Sequence, residues 1–187
     1  MDKYPKAYVE YLVAYHAERD YFECHEIMEE HWKSEPGSPY RGAWLGLIQL
    51  AVGQYHERRG NLAGARKMTA GALRHLEREP LAELGLAGEE LLARLRERLS
   101  SLEAAGAGGE RTFRDLDLPI TDERLLQACL AALPDAGSGW GKPSDPAANW
   151  LLHKHKLRDR SEVIRERERQ RLLREQARLR QKGGRSE

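Results

Sequence analysis

The chain is poor in β-branched residues: its 187 positions hold four valines, four isoleucines and three threonines. Such residues fit pleated, half-buried surfaces, and these eleven are too few for the sheet of an all-β or α/β enzyme. Cysteine is scarce as well, and Cys24 and Cys129 alone cannot build a disulfide framework. No apolar run approaches the length of a bilayer span, and a mean hydropathy of −0.74 with 33% charged residues predicts no membrane segment. The opening Met1-Asp2-Lys3-Tyr4-Pro5 mixes charges and lacks the apolar centre of a signal peptide, so the expected setting is cytoplasmic and reducing. There is no nucleophile elbow, phosphate-binding glycine loop or dinucleotide fingerprint.

What dominates instead is Ala, Leu, Glu and Arg, the composition of a helical protein. The length suits one domain with an appendage. A net charge of +1 hides an asymmetry: residues 1–152 carry 18 basic and 24 acidic groups, a balance of −6, whereas residues 153–187 carry 13 and 6, a balance of +7. Two stretches break the helical pattern, the small-residue run Ala104–Gly109 and the Pro/Gly/Ser-rich run Leu133–Pro146. The expected organisation is a helical domain over 1–103, a linker with a short helix over 104–152, and a basic terminal helix over 153–187.

Within the first part, apolar residues recur at helical spacing. Tyr8, Tyr11, Leu12 and Tyr15 mark one helix, and Phe22, Ile27, Met28 and Trp32 mark a second that Asp20 can cap and Ser34–Pro39 ends. Trp44, Leu47, Ile48, Ala51, Val52 and Tyr55 mark a third, which leads through Arg59-Gly60-Asn61 into a fourth ending before Pro80. Residues 89–103 add an amphipathic helix through Leu91, Leu92, Leu95 and Leu99. The two hairpins superpose at an offset of 40, which pairs Tyr15 with Tyr55, His16 with His56 and Met28 with Met68, and places the turns at Asp20 and Gly60. The expected fold is all-α: a multi-helical bundle of two related hairpins plus a long charged terminal helix.

The densest chemistry lies in Phe22-Glu23-Cys24-His25-Glu26-Ile27-Met28-Glu29-Glu30-His31-Trp32. On a helix, His25, Glu29 and Trp32 share a face with Phe22 and Met28, so His25 and Glu29 are expected to point inward. His16 or His56, with Tyr15, Tyr55 and Gln49 from facing helices, are their expected partners. The zinc-protease pattern fails because position 29 is Glu. The Glu-x-x-His of di-iron bundles fails because none of the seven histidines has Glu three residues before it. Three readings stay open. A buried His-Glu-Tyr network fixes the packing; His25 and Glu29 join His16 or His56 around a divalent metal; or these groups, with Trp32, Gln49, Tyr55 and His16, floor a ligand or peptide groove. No cofactor is expected from the motifs themselves. Cys24 points away from its neighbour His25 on a helix, and Cys129 reads as a small core residue.

The motif Phe22-Glu23-Cys24-His25-Glu26 with Glu29 and Trp32, then Gly46-Leu47-Ile48-Gln49-Leu50-Ala51, Tyr55-His56, Arg59-Gly60-Asn61 and Gly64-Ala65, resembles the bacterial family called domain of unknown function 309. The resemblance covers about residues 8–76. It implies an all-helical fold and a small bacterial protein, and it implies no reaction. The signature falls on His25, Glu26, Glu29, Trp32, Gln49 and His56. Residues 110–182 lie beyond it, although Leu157–Ile164 resembles an extension of some members.

From Ser161 to Lys182 there is no Gly or Pro, and acid-first pairs such as Glu162/Arg165 and Glu175/Arg178 support an exposed helix. Leu157, Ile164, Leu172 and Leu179 give it a thin seam suited to docking on a partner or a second copy. Nucleic-acid binding through Arg165–Arg180 is the alternative, weakened by five acidic residues interleaved between 159 and 175 and by an acidic neighbouring domain. The expected function is that of an interaction or regulatory helical module. One alternative is a metal-dependent or general acid/base enzyme using His25, Glu26, Glu29 and His56.

Overall fold

The computed structural model describes residues 3–106, 112–133, 139–145 and 148–157. The terminal helix expected over 161–182, with its seam and charge pairs, lies outside the described residues. Among those described, the fold is all-α, with one isolated bridge between Leu86 and Ile120 as its sole pairing of extended segments.

Helix α1 (Lys6–Val13) begins after Pro5, whose fixed φ and missing N–H suit a helix entry. Its inner face is phenolic: Tyr8 and Tyr11 are fully buried, and their hydroxyls donate to the carbonyls of Leu84 at 3.0 Å and Leu47 at 2.9 Å. A buried phenol needs such an acceptor, and each bond here pins α1 to a distant segment. The helix widens into a π turn over Ala14–Glu18 and stops at Arg19, which takes a left-handed conformation with φ 54°. Asp20 then caps helix α2 (Tyr21–Ser34), its carboxylate accepting from the Glu23 N–H at 3.0 Å.

Helix α3 (Arg41–Arg58) has almost no solvent stripe and packs on both α2 and helix α4 (Leu62–Leu76). Glycine makes the second approach close: a Cβ at Gly46 would lie 2.6 Å from Leu76 Cγ, and one at Gly53 would lie 3.1 Å from Thr69 Oγ1. The turn between α3 and α4 repeats the earlier design, with Gly60 at φ 74° and Asn61 accepting from the Gly64 N–H at 3.0 Å. Here the geometry shifts the expected repeat. Arg19 matches Gly60 and the caps Asp20 and Asn61 match each other, an offset of 41, one more than the offset that pairs Tyr15 with Tyr55.

Helix α5 (Gly88–Gly106) packs on α4 and runs through Ala104 and Ala105 into the expected linker; Leu102 and Ala105 are buried. The following segment also carries core residues. Leu116 and Leu118 are buried from an extended run, Leu125 and Cys129 from helix α6 (Glu123–Ala131), which lies against α1. The run is tied down where Ala87 donates to the Pro119 carbonyl and Thr121 donates to the Gly85 carbonyl, each at 2.8 Å. The stretch read from sequence as a linker thus completes the core. Helix α7 (Asn149–Leu157) ends the described chain. Residues through Leu152 form one unit and those from His153 a second, of which only His153–Leu157 is described.

The inward face of α2 differs from expectation. Tyr21, Cys24 and Met28 are its fully buried residues, and His25 and Glu29 keep 28% and 39% of their side chains exposed. The spacing of three and four from Tyr21 through Cys24 to Met28 defines the stripe, and it turns His25 toward the edge of the helix.

Candidate functional site

At that edge His25 stands between two carboxylates of its own helix. Its Nδ1 lies 3.1 Å from Glu26 Oε1 and its Nε2 lies 3.7 Å from Glu29 Oε2. Lys33 holds the other Glu29 oxygen at 3.0 Å. The imidazole tilts over the Phe22 ring, which in turn packs on Tyr55, so the polar group has an apolar floor. One ligand atom from each of His25, Glu26 and Glu29 falls within 4.8 Å of the others. Nitrogen and carboxylate donors at this closeness suit a borderline divalent ion.

The facing histidines go elsewhere. His16 is buried and stacked on Trp140, with ring centroids 4.8 Å apart and an 18° interplanar angle, and its Nδ1 is 3.6 Å from Asp117. Burial outweighs that carboxylate and lowers its pKa. His56 is engaged with Asn61 at the end of α3, where Nδ2 and Nδ1 are 3.0 Å apart. Glu26 therefore stands third in the cluster where sequence suggested His16 or His56. Tyr55 donates to the Leu152 carbonyl at 3.2 Å. Gln49 packs against Gly71 with its Oε1 buried and unpaired, and Trp32 is covered by the Arg41 guanidinium, 3.7 Å from its ring centroid.

A buried polar network does bind the hairpins, made by Tyr15 with Gln54, Glu57 and Arg98 in place of the expected histidines and α2 carboxylates. Gln54 donates to the Tyr15 hydroxyl at 3.1 Å and accepts from Arg98, which also pairs with the buried Glu57 at 3.0 Å. Both cysteines are buried, and burial pushes the Cys24 thiol well up and that of Cys129 to about 12. Neither is a nucleophile at neutral pH.

A second group of charges was not singled out from sequence, because its members are spread over more than 120 positions. Arg19 pairs with Asp117 at 2.7 Å and donates through Nε to the Lys142 carbonyl at 2.8 Å. His16 and Arg19 together hold Asp117 down at about 2. Asp115 accepts from Tyr21 at 2.5 Å and from the Ser144 N–H at 2.6 Å; burial works against its charge, but these bonds win and its pKa lies below the ordinary range. The spacing Asp115-x-Asp117 was the available signal, since alternation on an extended run puts both carboxylates on one side.

The family model described as Domain of unknown function (DUF309) matches residues 8–68. A curated relative, the uncharacterized protein YpuF of Bacillus subtilis, is 45% identical over 169 residues, covering 89% of this chain and 94% of its own. The chain belongs to the DUF309 family. That agrees with the signature read from Phe22 to Ala65, and it leaves the biochemical activity of this DUF309 member open. No solved structure matches. The matched region holds the whole His25-Glu26-Glu29 cluster together with Arg19 and Arg58, whereas Asp115, Asp117 and Ser144 lie beyond it. No helix among the described residues is long and apolar enough to cross a membrane.

Proposed function

We propose that this protein is a cytoplasmic interaction or regulatory module that takes a divalent cation on the exposed edge of α2. The observation that carries this reading is the convergence of His25, Glu26 and Glu29 within 4.8 Å on a half-exposed face. With Nδ1–H donated to Glu26, the tautomer presents Nε2 beside Glu29, so His25 and Glu29 act as ligands and Glu26 orients the ring. Lys33 fixes the remaining Glu29 oxygen. So few protein ligands leave coordination positions open, and in this reading a carboxylate or imidazole of a protein partner or second copy completes them.

Cobalt(II) titration of the full chain tests the reading, because replacing water by a nitrogen ligand shifts and strengthens the visible d–d band of the aqueous ion. Binding is expected to weaken at least tenfold in His25→Ala and Glu29→Gln and to be unchanged in His31→Ala, whose ring instead meets Trp44 edge-on at 5.5 Å. A titration identical in His25→Ala and the parent chain would refute it.

A further inference from the structure

Beside the α1–α2 turn lies a cavity of about 640 Å³, walled by Arg19, by Arg58 at the end of α3, by the 112–117 run and by Gly141–Ser144. That volume falls in the range of small-molecule sites, and much of the wall is apolar, with Phe113, Pro143 and Leu152 contributing. Its charges divide into spent and unspent groups. Asp117 is neutralised by Arg19, and the Asp115 carboxylate is occupied by Tyr21 and by Ser144, through both its N–H and its hydroxyl.

Arg58 is different. Its Nη1 donates to the Arg19 carbonyl at 2.7 Å and reaches the Ser144 hydroxyl at 3.4 Å, and its guanidinium lies 4.9 Å from the centroid of the Tyr21 ring. Its Nε and Nη2 are shielded from water and have no hydrogen-bond acceptor. Burial lowers its pKa despite the opposing pull of the Asp115 and Asp20 charges, which lie near but make no hydrogen bond to those two donors. A guanidinium left with two unmet donors in a dry wall is costly by itself, and an anion that enters from the cavity and displaces the side chains covering those donors supplies what it lacks. Arg114, exposed on the same wall, adds a second positive charge at the mouth.

We infer that this cavity binds a small organic anion, with a carboxylate or phosphate group on Arg58 and an apolar or aromatic body against Phe113 and Pro143. The site is separate from the α2 edge, so its success or failure does not depend on cation binding there.

Calorimetric titration of the full chain with phenyl phosphate, benzoate, phenol and inorganic phosphate tests it. At least one aryl anion is expected to bind, phenol is expected not to, and inorganic phosphate is expected to bind more weakly than phenyl phosphate. Comparing phenyl phosphate with benzoate assigns the head group. Arg58→Gln is expected to weaken aryl-anion binding at least tenfold. Arg114→Gln, an exposed change that leaves the fold undisturbed, is expected to weaken binding severalfold and keeps the test valid if Arg58→Gln misfolds. Absence of binding by both aryl anions at millimolar concentration, equal binding of phenol, or aryl-anion affinity unaffected by either substitution would overturn the inference.

Discussion

Two truncations on one helix test which way α2 faces. His25→Ala removes a ring whose side chain is 28% exposed and whose carboxylate neighbours are 30% and 39% exposed. Ion pairs at that exposure contribute about 0–1 kcal/mol. The substitution also gains helix propensity worth roughly 0.5 kcal/mol, which offsets much of the loss. The net change should stay within about 1 kcal/mol, a midpoint shift below roughly 4 °C for a chain of this size. Met28→Ala, one turn along at full burial, opens a core cavity at a cost of about 2–5 kcal/mol, or roughly 4–20 °C. Thermal unfolding of both variants by circular dichroism, at one pH and in a chelator, reads the difference. If His25→Ala falls as far as Met28→Ala, the imidazole is a core element and the placement of the α2 edge at the surface is wrong.

Four further outcomes follow from the packing and the charges. His16 is held neutral by burial, beside Asp117 and Arg19, so below the ordinary imidazole value of 6.5 the unfolded chain takes up a proton that the folded chain resists. Stability should therefore decline as pH falls through 6.5, and urea midpoints should show a flatter slope there in His16→Gln. Asp117 has the opposite displacement; its contribution is present above the ordinary 3.8 and is lost as pH falls toward about 2, a step that Asp117→Asn should remove. Gly46→Val forces side-chain atoms into buried Leu76 and should cost about 1–3 kcal/mol by denaturant unfolding, whereas Gly37→Ala, with nothing within 4 Å, should be near neutral. Both thiols should resist a neutral disulfide reagent in the native chain and react in denaturant; fast native labelling of either would contradict their burial.

The hairpins were legible because their signals are local: Asp20 and Asn61 cap the helices they precede, and Gly60 supplies the left-handed turn. Arg19 does the same work without glycine, which no propensity rule anticipates. The facing of α2 was misread because Phe22 and Trp32 carry the largest apolar rings, yet the buried stripe is built from Tyr21, Cys24 and Met28. Tyr21 can be inside because Asp115, 94 positions away, accepts its hydroxyl. The same distance explains why the Arg58 cavity escaped notice: its walls come from five separate segments, and only folding shows which arginine keeps two donors unmet. The core role of Leu116 and Leu118 was hidden in a short run between breaks, too brief for periodicity to identify.

Helix α6 rests against α1, and its cap Asp122 also receives the Tyr4 hydroxyl at 2.8 Å and the Lys3 ammonium at 2.6 Å. During synthesis the first helix therefore emerges more than a hundred residues before the segment that covers its flank. Helices α1 to α4 can pair with their sequence neighbours as they leave the ribosome, but the apolar side of α1 has to wait. A nascent chain halted between α5 and α6 should present that strip to chaperones, and release should come when the Asp122 latch arrives.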